Sequence, residues 1–180
     1  MFAISQVAEI RHLNRQFLAL IRQNPRHSVL EMGTPSSTKI VQTINSLPEN
    51  AIGKLVRPAA SLLFVAHIND ERNEESPSWL LDYWVLVANL ARQGTVDRFS
   101  MLTGLPAEQY QIIRDTPLHE IRRWAARTQL ELRFPAKLWA VLANHAMAGE
   151  LEPDIAPLIA TYSAASGIVD HGRQNARWAA

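Results

Sequence analysis

One stretch, Val96 to Ile113, reading VDRFSMLTGLPAEQYQII, constrains the fold of this chain more than any other. Gly104 interrupts one amphipathic helical pattern and Pro106 opens a second. Glycine takes up left-handed backbone without a Cβ clash, and proline is at home in the first turn of a helix. The spacing therefore predicts a helix over 96–103, a tight turn at Gly104 and a second helix over 106–114. Phe99, Leu105, Tyr110 and Ile113 pack the two together, with Ser100 as the small residue on the inner face. This is the pattern of a helix-turn-helix, in which the second helix would project Ala107, Glu108, Gln109, Gln111 and Arg114 outward.

The same layout recurs. At a shift of 71, Gly33 meets Gly104, Pro35 meets Pro106 and Leu30 meets Met101. At a shift of 69, Pro48 meets Pro117, Ile52 meets Ile121, Lys54 meets Arg123 and Leu63 meets Leu132. Around these points the periodicity predicts a first helix over 4–23, with Val7, Ile10, Leu13, Phe17, Leu20 and Ile21 inward, and a short helix over 26–32. A helix from Pro35 follows, with Ile40, Val41 and Ile44 inward, then one from about Ser46 to Arg57, then a strand over 61–68. The second half predicts an apolar helix over 79–93, the pair about Gly104, a helix from Thr116 to Arg127 and an alternating strand over 129–134. Helices from Pro135 to Met147 and over 153–165 close the sequence. The expected fold is mainly α: two tandem helix-turn-helix-containing modules, each followed by a short β-strand, plus C-terminal helices. The expected boundaries are a first module over 1–68, a linker over 69–78, a second module over 79–134, C-terminal helices over 135–166 and a loose tail over 167–180.

Composition narrows the function. Apolar residues make up 47% of the 180, enough for a packed interior. Net charge is only +1, so no global basic field marks the chain. The charge is unevenly placed: Arg11, Arg15, Arg22, Arg26, Lys39, Lys54 and Arg57 outnumber Glu9, Glu31 and Glu49 in the first 60 residues. With no cysteine there is no thiolate metal site, disulfide or cysteine nucleophile. The six histidines show no HxxxH or HExxH spacing, and no phosphate loop, dinucleotide fingerprint or nucleophile elbow occurs. These absences lead to the expectation of a non-enzyme without a cofactor. No signal peptide or membrane span is evident, so a cytoplasmic location is expected.

The helix-turn-helix is the remaining carrier of chemistry, because it can lay its second helix in a DNA major groove. Gln109, Gln111 and Arg114 are types that read base edges. Arg98, Arg122, Arg123 and Arg127 are placed to hold phosphates. The first motif projects Ser36, Lys39 and Gln42 on a locally basic segment, although Lys39 falls where a core residue is expected, and dimerisation is an alternative use for it. Of the five tryptophans, Trp79, Trp84, Trp124 and Trp139 lie on apolar helices and suit a core, and any one could anchor a partner.

Asn14, Phe17 and Leu18 form an Asn-x-x-aromatic-Leu pattern. Met32-Gly33 and Thr103-Gly104 stand at turns, and Trp124-Ala125, Gln129-Leu130 and Phe134 keep a fixed spacing from Gly104. In these features the chain resembles the FlhD/FlhC-type transcriptional activators, the flagellar master regulators and their relatives on conjugative elements. The likeness covers about 8–68 and again 80–134. It implies an activator that binds promoter DNA within a hetero-oligomer, with a second protein subunit or self-association. The cysteines of the family's zinc-bearing member are missing, so no zinc function carries over. The competing expectation is a protein-interaction or adaptor subunit that uses helix-turn-helix folds as scaffold.

Overall fold

The computed structural model describes residues 4–30, 35–56, 61–69 and 75–148. Among them the chain is mainly helical with one small sheet. The turn at Gly33, the end of the helix at Arg57, most of the linker, the expected helix over 153–165 and the tail lie outside the described residues.

α1 (Ile4–Gln23) buries Ile10, Leu13, Phe17, Leu18 and Ile21 as its apolar spacing requires. It ends before Asn24-Pro25, where the proline imposes extended backbone on its neighbour. The short helix expected over 26–32 is absent from the residues described there. His27 and Leu30 close successive turns onto Asn24 and His27, and Leu30 forms an isolated parallel bridge with Leu130. Tertiary pairing thus overrides a weak local helical preference. α2 (Pro35–Ser46) buries Ile40, Val41 and Ile44, and α3 (Glu49–Val56) buries Ala51, Ile52, Leu55 and Val56. β1 (Phe64–Ile68) follows.

α4 (Trp79–Gln93) buries nine of its 15 residues, from Trp79 and Leu80 to Leu90 and Ala91, and leaves Leu81, Asp82, Asn89 and Arg92 exposed along one side. Such a helix belongs at the centre of a core, and its apolar composition is the reason. α5 (Val96–Thr103) and α6 (Ala107–Asp115) meet at Gly104. α7 (Leu118–Trp124) runs through a single 3-10 turn (Ala125–Arg127) straight into β2 (Thr128–Leu132), and α8 (Ala136–Ala148) packs against α2 and α3.

The two strands pair antiparallel, Phe64 opposite Leu132 and Ile68 opposite Thr128. A strand from each side of residues 69–78 therefore completes one sheet. One hydrophobic core runs through both halves. Along it, rings follow one another from Phe17 to Phe64 (4.6 Å between centroids), Tyr83 (5.3 Å), Trp84 (5.0 Å) and Trp124 (5.1 Å). Offset and edge-on ring pairs at such distances add to the stability gained by burial alone.

The exchange between halves is reciprocal. The Leu130 amide donates to Val29 O (2.6 Å), and the Leu62 amide donates to Leu102 O (2.9 Å). In each half, the segment just before the turn glycine is held by backbone leading into or lying in the other half's strand. The strands themselves begin at Phe64 and Thr128, 64 residues apart. The buried Asn14 amide ties α1 to the approach of β1: its nitrogen donates to Ser61 O (3.0 Å) and its oxygen accepts from the Leu63 amide (2.9 Å). No helix among the described residues is long and apolar enough to cross a membrane.

Candidate functional site

The corner between α5 and α6 is built as its sequence suggests. The Thr95 side chain caps α5 by accepting from the Arg98 amide, and Gly104 sits in left-handed backbone at φ 76°. Thr103 Oγ1 donates to Phe99 O (2.8 Å) and accepts from the Leu105 amide (3.1 Å), so one hydroxyl spans the turn. Phe99 meets Tyr110 edge to face at 5.4 Å, and Leu105 and Ile113 close the interior beside them. The Tyr110 hydroxyl donates to Gly94 O (2.9 Å), which fastens α6 to the end of α4. Pro106 stands just before the first helical residue, as the cap, rather than inside the helix.

The outer face of α6 differs from the expected one. Gln109 is only 5% exposed, and its Nε2 is enclosed with no hydrogen-bond partner. It lies beside Tyr110 and Ile113 on the packed side of α6 and cannot reach a base edge. Gln111 is exposed and donates to Asp115 Oδ2 (2.6 Å). Arg114 is exposed, 3.6 Å from Asp115 Oδ1, with its guanidinium 6.0 Å from the Tyr110 ring centre. Ile112, 55% exposed, shares this outward side. Reading for polar groups alone passed it over, although the spacing of Glu108, Ile112 and Asp115 puts all three on one helical face.

The arginines expected to hold phosphates divide into two kinds. Arg122 and Arg123, in the last turn of α7, are exposed. Arg98 is half-buried and donates to Gln6 Oε1 on α1 (2.6 Å). Arg127 Nε donates to Asn69 O (2.9 Å), while the Asn69 amide donates back to Arg127 O (2.6 Å), closing the far end of the strand pair. Arg98 and Arg127 thus spend hydrogen bonds inside the chain. On α2, Ser36, Lys39 and Gln42 are all exposed; Lys39 is not a core position, and Ile40 and Val41 fill the interior next to it.

Arg133 was not singled out by the sequence, because the alternation of Leu130, Leu132 and Phe134 puts it on the outward side of a strand over 129–134. β2 stops at Leu132, and Arg133 turns instead to the C-terminal end of α5. One terminal nitrogen donates to Leu62 O and Leu102 O (3.2 Å each), the other to Ser100 O (3.3 Å) and Met101 O (2.9 Å). The last carbonyls of a helix lack intrahelical partners and carry the negative end of its dipole, so a cation suits the place. Burial pulls this guanidinium down from the ordinary arginine value to about 10, and the neighbouring Tyr83 acts the other way. It remains charged at neutral pH.

No group of three or more histidine, aspartate or glutamate side chains among the described residues could hold a metal ion. In comparisons with known proteins, no family model, no curated protein and no solved structure matches the chain.

Proposed function

We propose that the chain is a DNA-binding transcriptional regulator, an activator subunit that works with a protein partner in the manner of the FlhD/FlhC-type regulators it resembles. The observation that carries this reading is the α5–Gly104–α6 corner. It rests on α4 and is followed within a few residues by a helix ending in two exposed arginines, Arg122 and Arg123. In such an arrangement the cations hold backbone phosphates and Gln111 and Arg114 face the groove. Phosphate contacts of this kind release counterions, so affinity should fall steeply with salt. Fluorescence anisotropy of promoter duplexes across a salt series tests it, with the replacement of both Arg122 and Arg123 by Gln as the variant. Weakened binding with a shallower salt slope supports the reading. A wild-type chain that binds no duplex, alone or with its partner subunit, overturns it.

A second reading, a protein-interaction subunit, is favoured by Ile112 and Leu118, which expose apolar surface on and just after α6. In that reading Ile112→Ser abolishes capture of the partner and leaves the fold intact.

A further inference from the structure

A groove of about 660 Å³ lies between α1 and α3, walled by Arg15, Gln16, Arg22 and Gln23 on one side and by Glu49 and Gly53 on the other. On a helix turning 100° per residue, Arg11, Arg15 and Arg22 fall within about 40° of one another. They make a basic stripe along the solvent side of α1, with Arg15 at the mouth of the groove. Arg22 is paired with Glu49, whose carboxylate stands 85% exposed at the rim. Among the described residues the Arg15 side chain has no hydrogen-bond or ion-pair partner. Gly53 keeps the opposite wall open, since a Cβ there would meet nothing within 4 Å. Two guanidinium forks beside two carboxamides make a donor-rich surface suited to phosphate oxygens. Arg22 can exchange its exposed carboxylate partner for a phosphate at little cost. The outer face of α6 is a poorer match, because Glu108 and Asp115 there outnumber Arg114.

We propose that the α1–α3 groove binds phosphate oxygens and seats a stretch of DNA backbone, so that the first half of the chain, and not α6 alone, contacts nucleic acid. The source of the phosphate rests on the DNA-binding reading above; the groove itself does not.

The test uses the full chain, alone and with its partner subunit, and three variants: Arg15→Gln, Arg15→Gln with Arg22→Gln, and Gly53→Glu. Gly53→Glu projects a carboxylate into the groove from a helical site where glutamate is a better helix former than glycine, so weakened binding cannot be ascribed to a broken helix. Thermal melts confirm folding of each. Duplex binding is read by anisotropy across salt, and binding of free ATP and of pyrophosphate by calorimetry. The proposal expects the double variant to bind duplex at least tenfold more weakly, with a salt slope reduced by roughly two, about 0.9 for each phosphate no longer neutralised. Gly53→Glu should do as much. If the wild type binds duplex and all three folded variants bind it equally well, the groove is overturned while the DNA-binding reading stands. If the wild type binds ATP or pyrophosphate through Arg15 but no duplex, the groove stands with a free phosphate ligand and the DNA-binding reading falls. If it binds none of these probes, both fall.

Discussion

A Cβ placed on Gly104 would lie 2.7 Å from Arg133 Nε and 2.9 Å from Val65 Cγ2. The turn between α5 and α6 and the cation that closes α5 are therefore a single packed unit, with β1 as its third wall. Gly104→Ala carries two penalties: left-handed backbone costs a residue with a Cβ about 1–2 kcal/mol, and overpacking adds about 1–3 kcal/mol. Urea denaturation should show a loss of about 2–5 kcal/mol. A loss below about 0.5 kcal/mol would show that the turn relaxes freely.

Arg133→Met should cost about 3 kcal/mol by the same measurement, because the carbonyls of Ser100, Met101, Leu102 and Leu62 would all be left without a charged donor. Arg133→Lys should recover less than half of it. A single ammonium is compact, whereas the guanidinium fork spans four acceptors. Hydrogen exchange should quicken first at the C-terminal end of α5.

Gln109→Leu separates packing from base reading. The amide is buried with Nε2 unsatisfied, and an apolar side chain of similar shape removes that penalty. Stability should stay level or rise by up to about 1 kcal/mol, and duplex affinity should not change. A selective loss of affinity in a folded Gln109→Leu chain would show that this residue does reach DNA.

The alkaline limb of stability should depend on Tyr83. Burial raises its phenol well above the ordinary tyrosine value, although the Ala66 backbone and Arg133 act the other way. The unfolded phenol ionises near 10, so the stabilisation is complete below about pH 10 and is lost as pH rises, at about 1.4 kcal/mol per unit. Arg133, lowered to about 10, works in the opposite sense over the same range, and because Tyr83 raises it, losing the phenol lowers it further and acts in the same direction as the loss of Tyr83 itself. Urea midpoints for wild type and Tyr83→Phe, followed from about pH 9 to about pH 12, should therefore diverge above about 10, with the variant falling less steeply. Parallel curves would show that the folded phenol ionises like an exposed one.

The elements read best from the sequence are those whose signal is local. α5 spans Val96–Thr103, as the break at Gly104 requires, and α2 turns Ile40, Val41 and Ile44 inward, as their spacing demands. Phe99, Leu105, Tyr110 and Ile113 close the corner for the same reason. The candidate site was less legible. Gln109 and Gln111 are chemically identical and two residues apart, so they face different sides of α6, and only the positions of α4 and α5 decide which side is buried. Arg98 and Arg127 look like free cations in the sequence, yet Gln6 and Asn69, distant along the chain, take up their donors.

What the sequence by itself determined is the succession of helices and the glycine and proline stops between them, because hydrophobic period and backbone freedom act within a few residues. Only the tertiary structure decided that the strands from the two halves pair with each other, that Leu30 leaves a helical pattern to meet Leu130, and that Arg133 turns inward onto the end of α5. Backbone amides and carbonyls are alike at every residue, so which ones meet is set by the burial of Phe17, Phe64, Tyr83 and Trp84 in one shared core and not by any local pattern.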